Sequence, residues 1–418
     1  MLKLPAVLFS YRGLPGAIWT LFLTETVTAA GSFVYPFLAL LLTRQYGMSE
    51  QRVGVFMGIS AVACLLGTVF GGMLADAISR KHALIATMTV SAVSYAAVPA
   101  VSSVTVVSVL ILFGIGTMAA TKPAFDALVA DLTRNDNRRV AFSLLYAAVN
   151  IGYAVGPLAA SMLFERHVTW LFLGDAAATI IAAALIAVLV PQQEPKPLPQ
   201  ERIGKSLDLG APHGMREVWQ TLRQHPAILT MLVVYTLNVA LFSQIFFALP
   251  LYLNAHFGGS GATLYGVMMT VNAIAVVVMT PAITTATRRL SSGRCLALGG
   301  FLFALGLGGY GIATSMAVIV GLVFVWTMGE LLNTTNARVF VADLAPPAQR
   351  GRLGAMVEFA YELGFGLGPV VAGFVIAHRG IDRLWPYLCA VGLATGLTML
   401  FLEWHRQAAT RQLLLDAK

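Results

Sequence analysis

The chain reads as a succession of apolar runs, each about 20 residues long, the length a helix needs to cross the hydrocarbon layer of a bilayer. Twelve such runs fall at 17–42, 53–75, 83–101, 104–123, 141–163, 170–190, 227–250, 263–284, 295–314, 317–337, 354–377 and 384–403. Of the 418 residues, 58% are hydrophobic and 11% charged, against about 25% charged in an ordinary soluble domain. A water-soluble core could not hide so much apolar surface, so lipid must solvate most of it. The first run is too long for a signal-peptide core and no small-residue cleavage site follows it, so it is expected to stay as a membrane helix. The expected fold is an all-α membrane protein with twelve transmembrane helices.

The long polar stretch from Pro191 to Pro226 holds Pro191, Pro195, Pro197 and Pro199 among many charges, and reads as a connector. The expected organisation is a six-helix bundle over 1–190, a cytoplasmic linker over 191–226 and a second bundle over 227–418. If the N-terminus is cytoplasmic, only Arg44, Arg52, Arg166, Arg379 and Arg383 of the 27 lysines and arginines fall in outer loops. That asymmetry places both termini in the cytoplasm. The formal charge of +8 thereby reflects topology and gives no reason to invoke nucleic acid. Cys64, Cys295 and Cys389 stand singly, which argues against a disulfide framework or a zinc site.

The two halves are related. A shift of 212 residues lays Val129-Ala130-Asp131-Leu132 on Val341-Ala342-Asp343-Leu344, Arg138 on Arg350, Gly152 on Gly364, and Gly156-Pro157 on Gly368-Pro369. Nine of 29 positions are identical between 129–157 and 341–369. Parallel six-helix repeats point to a transporter that works by alternating access.

After the second span comes Gly71-Gly72-Met73-Leu74-Ala75-Asp76-Ala77-Ile78-Ser79-Arg80-Lys81. It resembles the loop signature G-x-L-A-D-R-x-G-R-K of the major facilitator superfamily. Gly72, Leu74, Ala75, Asp76, Arg80 and Lys81 fit, while Ala77 and Ser79 replace an arginine and a glycine. The resemblance implies a conformational latch in which Asp76 pairs with neighbouring helix ends and basic residues; Asp131 and Asp343, matched by the repeat at cytoplasmic loops, read as gate or loop-organising residues. In the fifth span, Gly152-Tyr153-Ala154-Val155-Gly156-Pro157 is similar to the superfamily's antiporter signature, with Ala160 and Ser161 in place of its last two glycines. That likeness implies export in exchange for protons. Small residues four apart also let helices approach closely, and proline frees a backbone carbonyl.

Four carboxylates fall well inside spans: Glu25, Glu330, Glu358 and Glu362. Ionisable groups in lipid are costly and usually face the bundle interior. Glu358 and Glu362 are one turn apart on one helix face, so the two cannot both ionise easily in a low dielectric. Glu330 is expected about seven residues from the cytoplasmic end of its span, with Glu25 and Glu362 at similar depth. Lys122 and Arg338 are placed at cytoplasmic ends, so the cavity is expected to be acidic and to favour protons and cations. The setting of Glu330, Gly329-Glu330-Leu331-Leu332 followed by Ala342-Asp343-Leu344-Ala345-Pro346, resembles that of the proton-coupling glutamate of bacterial multidrug/proton antiporters. Tyr235, Asn238, Phe242, Gln244, Phe246, Phe359, Tyr361 and Phe365 are candidate cavity-lining side chains, and Asp175 is expected to cap the outer end of the sixth span.

Gly204-Lys205-Ser206 lacks the first glycine of a phosphate-binding loop, because Pro199 stands there, so ATP drive is not supported. No HExxH or GxSxG pattern occurs. The resemblance therefore implies a cofactor-free, proton-driven exporter of amphipathic or cationic compounds. It would act as a monomer in the lipid of a bacterial cytoplasmic membrane, with Glu330, Glu25, Glu358 and Glu362 handling protons and substrate. A carrier dedicated to one metabolite, sugar or lipid and a non-transporting membrane sensor or scaffold remain alternatives.

Overall fold

A computed structural model of the chain describes residues 11–134, 137–192, 220, 222–346 and 349–416. All regular structure among these residues is helical. The first half contains α1 (Gly16–Ala30), α2 (Leu38–Arg44), α3 (Glu50–Ala77), α4 (Arg80–Ala97), α5 (Val104–Ala119), α6 (Thr121–Leu132), α7 (Arg138–Arg166) and α8 (Val168–Leu189). The second contains α9 (Pro226–Phe242), α10 (Ala248–Phe257), α11 (Gly261–Thr287), α12 (Ser292–Gly308), α13 (Met316–Leu344), α14 (Arg350–Arg379) and α15 (Leu384–Asp416).

Ten helical segments among the described residues are long and apolar enough to cross a membrane. One of them, Pro226–Thr287, contains the expected seventh and eighth spans together. The expected first span is present as two shorter helices, α1 and α2, separated by an unwound stretch over 31–37 that contains Gly31 and Pro36. Proline supplies no amide hydrogen and glycine resists helix, so this is where the helix gives way. The seventh span is interrupted at the corresponding place, with a 3-10 turn at Ser243–Ile245 between α9 and α10. Of the expected connector 191–226, only 191–192, 220 and 222–226 are described.

The sequence repeat is carried by the helix boundaries. Helices α4 and α12 begin at Arg80 and Ser292, α5 and α13 at Val104 and Met316, and α7 and α14 at Arg138 and Arg350, all at the same offset of 212. The serines ahead of α4 and α12, Ser79 and Ser291, both accept a hydrogen bond from the backbone N–H three residues on. A hydroxyl in that position satisfies one of the four orphan donors that open every helix.

By compactness the chain falls into two units, Met1–Pro195 with Phe246–Val277, and Lys196–Ile245 with Val278–Lys418. The core of the first is built from Ile18, Leu21, Leu84, Met88, Leu128, Leu144, Leu145 and Ile186. The core of the second is built from Ile228, Met231, Leu296, Phe340, Leu353, Val357 and Met399.

Candidate functional site

In the first unit the glycines of α7 seat the end of α1. A Cβ on Gly152 would stand 2.8 Å from the carbonyl oxygen of Thr26 and 2.7 Å from the amide nitrogen of Ala30. One on Gly156 would stand 2.8 Å and 2.9 Å from the carbonyl oxygens of Ala30 and Ala29. The second unit repeats the arrangement. Gly364 lies against the carbonyl of Thr236, and a Cβ on Gly368 would stand 2.5 Å from that of Ala240, beside Ser243 and Gln244. Both Gly-x-x-x-Gly-Pro motifs thus hold a helix at the point where it breaks, and Pro157 and Pro369 are buried within their own helices.

The break in the first span is held from the other side by Asp175. Its Oδ2 accepts hydrogen bonds from the backbone N–H groups of Phe33 and Val34, each at 3.1 Å. Asp175 was expected to cap its own helix; it is instead buried at the eighth residue of α8 and satisfies the unwound backbone of another segment. An unpaired amide in an apolar interior is costly, which is why a carboxylate stands there.

The loop signature also has a different bonding pattern from the one expected. Arg80 forms an ion pair with Asp131 and donates to the carbonyl of Ala127 at 3.3 Å. Lys81 Nζ donates to the carbonyls of Ala187 and Val190 at 2.8 Å and 2.6 Å, closing the last turn of α8. Arg138 donates to Ala130 at 3.0 Å. Asp76 is exposed and makes no ion pair with a described residue, so the charged contacts of the loop signature run through Arg80, Lys81 and Asp131. Gly72 is only loosely packed, its Cβ position 4.0 Å from Pro123, and Asp343 is exposed.

At the same place in the second unit the chemistry is reversed. The buried carboxylate of Glu403 lies against Gly293 in the first turn of α12, and is held by Arg406 at 3.3 Å and Gln407 at 3.2 Å. A negative charge suits the start of a helix, as the ammonium of Lys81 suits the end of one. Glu403 closes the last apolar run, and hydropathy gave no signal that it is buried.

The carboxylates occupy distinct settings. Glu330 is the middle residue of α13, about 21 Å from either end. The helix continues past the apolar run to Leu344, so Glu330 is farther from the helix end than from the end of that run. Glu25 is nine residues into α1, about 14 Å along it, and Glu362 twelve residues into α14, about 18 Å along it. All three are partly buried. Glu358 differs: it is half-exposed and forms an ion pair with Arg338 of α13. The expected pair of adjacent uncompensated carboxylates is therefore absent.

Arg338 sits six residues inside the end of α13, and Lys122 ten residues inside the end of the fourth span, which continues through α6 to Leu132. Both helices thus continue beyond their apolar runs.

Of the residues proposed to line a cavity, Tyr235, Asn238 and Gln244 are buried in helix packing. Tyr235 belongs to the core, Asn238 Nδ2 donates to Asn333 Oδ1 at 2.8 Å, and Gln244 Nε2 donates to the carbonyl of Ala240 at 2.9 Å. Phe242, Tyr361 and Phe365 are partly exposed and form a ring cluster, with centroids 6.3 Å apart for Phe242 and Phe365 and 5.8 Å for Tyr361 and Phe365. Phe359 is exposed, and Phe246 packs against Tyr35 at 6.1 Å in the first unit. A cleft of about 670 Å³ lies at the opposite end of the first unit, lined by Arg44, Glu165, Arg166, His167 and Trp170, and none of the candidate residues borders it.

Long apolar helices in two related sets, broken helices at corresponding positions and carboxylates at membrane depth define an integral, multi-pass membrane transporter rather than an enzyme. The sequence profile described as Major Facilitator Superfamily matches residues 21–369, and the chain belongs to that superfamily. The MFS-type transporter YqjV of Bacillus subtilis is 26% identical over 388 residues, covering 92% of each chain. Multidrug resistance protein MdtH of Edwardsiella ictaluri is 25% identical, covering 92% of this chain and 93% of that one. A Na(+), Li(+), K(+)/H(+) antiporter of Planococcus maritimus is 23% identical, covering 81% and 84%. Among solved structures, the nucleoside transporter NupG superposes with a TM-score of 0.79 at 14% identity, covering 91% of this chain and 99% of that one.

Proposed function

We propose that the protein is a proton-coupled secondary transporter that exports amphipathic or cationic small molecules by alternating access. The observation that carries this reading is the placement of Glu330 at the midpoint of α13 and Glu25 deep in α1, one in each compact unit and both partly buried. A carboxylate kept at such depth is expensive, and proton and cation handling is the usual return on that cost. Glu330 is the coupling residue in this reading, Glu25 and Glu362 tune the site, and Glu358 is neutralised by Arg338. The printed names of two relatives, a multidrug resistance protein and a cation/proton antiporter, support it. So does the similarity of the α7 motif to the antiporter signature. Both termini are assigned to the cytoplasm, and the proton gradient is the energy source.

The test is movement of a lipophilic cation by purified protein in liposomes under an imposed pH gradient. Wild type is expected to drive it, and Glu330→Gln to lose gradient-driven accumulation while still eluting as a monodisperse peak. Full accumulation in the variant would remove Glu330 from the coupling role.

A further inference from the structure

The cleft of about 670 Å³ in the first unit has no part in the export reading. It forms where α2 ends at Arg44, α7 ends at Arg166 and α8 begins at Val168. The segments Arg138–Arg166 and Val168–Leu189 are each long and apolar enough to cross a membrane, and only His167 separates them. Two spans joined so tightly turn at one membrane surface, which puts the cleft at the level of the lipid headgroups.

The charge of the cleft is positive. Arg44 and Glu165 form an ion pair at 3.1 Å, and the Arg44 guanidinium rests over the ring of Phe164, 5.5 Å from its centroid. Arg166 is left as the net charge: it is exposed, lines the cleft and makes no ion pair with a described residue. His167 beside it adds a ring donor. The first turn of α8 carries no acidic residue and no side-chain cap, so nothing there offsets the positive end of the helix. Such a set suits a phosphate, which a guanidinium grips through two parallel hydrogen bonds.

The approach to the cleft is apolar. Ile151, Val155 and Met162 are exposed on one face of α7, and Arg166 follows Met162 by one turn on that face. Trp170, also exposed, stands at the cleft with an indole, the ring that favours the boundary between hydrocarbon and headgroups. An apolar stripe leading to a basic cleft matches a molecule with a phosphate at one end and hydrocarbon chains at the other.

We propose that this cleft binds the headgroup of an anionic phospholipid, with Arg166 on the phosphate and the acyl chains along the exposed face of α7. A glycerol headgroup brings no cation of its own and leaves the phosphate charge for Arg166. A choline headgroup cancels that charge internally. The preference is therefore for phosphatidylglycerol over phosphatidylcholine, while Arg44 stays with Glu165 and shapes the wall.

Trp170 supplies the readout, because bromine on an acyl chain quenches a tryptophan that it touches. Purified full-length protein is placed in phosphatidylcholine vesicles containing brominated phosphatidylglycerol or, in parallel, brominated phosphatidylcholine. The Trp170 signal is the difference between each protein and its Trp170→Phe counterpart. Brominated phosphatidylglycerol is expected to quench it with about fivefold higher relative affinity, as one arginine at an anionic surface gives. Arg166→Gln should abolish that preference and leave quenching by brominated phosphatidylcholine unchanged, which also shows that the variant is folded. Arg52→Gln, which removes an exposed arginine outside the cleft, should keep the preference. Equal quenching of wild type by the two lipids, or a preference that survives Arg166→Gln, overturns the proposal. So does an equal loss in Arg166→Gln and Arg52→Gln, which would reveal diffuse surface charge alone. Sodium phosphate is then compared with sodium chloride at equal ionic strength, and the same preference is expected in both. Its loss in phosphate alone would assign the cleft to a soluble anion and overturn the lipid occupant.

Discussion

Arg80 at the start of α4 and Asp131 near the end of α6 form an ion pair, each side chain about three-quarters removed from solvent. The pair ties together two helices of one unit, and Lys81 beside it closes the end of a third, α8. Neutralising either partner, Arg80→Gln or Asp131→Asn, is expected to lower the thermal midpoint in detergent. The double variant should lose little more than the worse single one, for a coupling of about 1 kcal/mol. Additive losses would show that the two charges act independently. Asp76→Asn should leave the midpoint unchanged, because Asp76 is exposed and unpaired among the described residues.

Glycines within different helices should respond very differently to a single methyl. At Gly152 and Gly156 an added Cβ would press on the backbone at the end of α1, so Gly156→Ala is expected to cost about 1–3 kcal/mol, the usual range for overpacking. Gly354, also within a helix, has nothing within 4 Å of its Cβ position. Gly354→Ala should be neutral or stabilise by up to about 1 kcal/mol through helix propensity. Equal melting midpoints for Gly156→Ala and Gly354→Ala would contradict the close packing of α7 on α1.

Much of this architecture is legible in the chain because lipid imposes a length and a composition that hydropathy detects directly. The repeat is legible for a similar reason: Gly152 and Gly156 leave room for a neighbouring backbone, and Gly364 and Gly368 meet the same demand. What hydropathy does not carry is rotation and continuity. Tyr235, Asn238 and Gln244 look like cavity residues in one dimension and prove to be packed, since nothing in an apolar run fixes which way a side chain turns. The break after α1 lies inside an unbroken apolar run, with Gly31 and Pro36 as its signal. Thr121–Leu132 is polar enough to pass for a loop, yet folds as a helix against the core.

Asp175 gives a graded test of how the break in the first span is held. Asp175→Asn keeps one oxygen able to accept from Phe33 and Val34, and so should lower the thermal midpoint moderately. Asp175→Ala leaves two backbone N–H groups without their acceptor and is expected to cost more, about 2–5 kcal/mol for two buried donors. The ordering of the midpoints, wild type above Asn above Ala, is the measurement. An Ala variant as stable as the Asn variant would mean that water or a rearranged backbone satisfies those donors.

Glu358 and Glu330 should separate in transport as they do in setting. Glu358 is half-exposed and its charge is balanced by Arg338. Glu330 sits partly buried at the centre of a long apolar helix, where a carboxylate is costly to keep. In liposomes with a pH gradient, Glu358→Gln is expected to keep accumulation of a lipophilic cation within about threefold of wild type, the scale of an exposed pair. Glu330→Gln should abolish accumulation yet retain exchange of labelled for unlabelled substrate, because a permanently neutral side chain uncouples the proton without closing the path. Arg338→Gln supplies the third comparison. It leaves Glu358 without its cation, and replacing both residues should restore accumulation relative to Arg338→Gln alone. If Glu358→Gln instead lost accumulation as fully as Glu330→Gln, the ion pair would have to open during transport and Glu358 would rejoin the set of proton carriers.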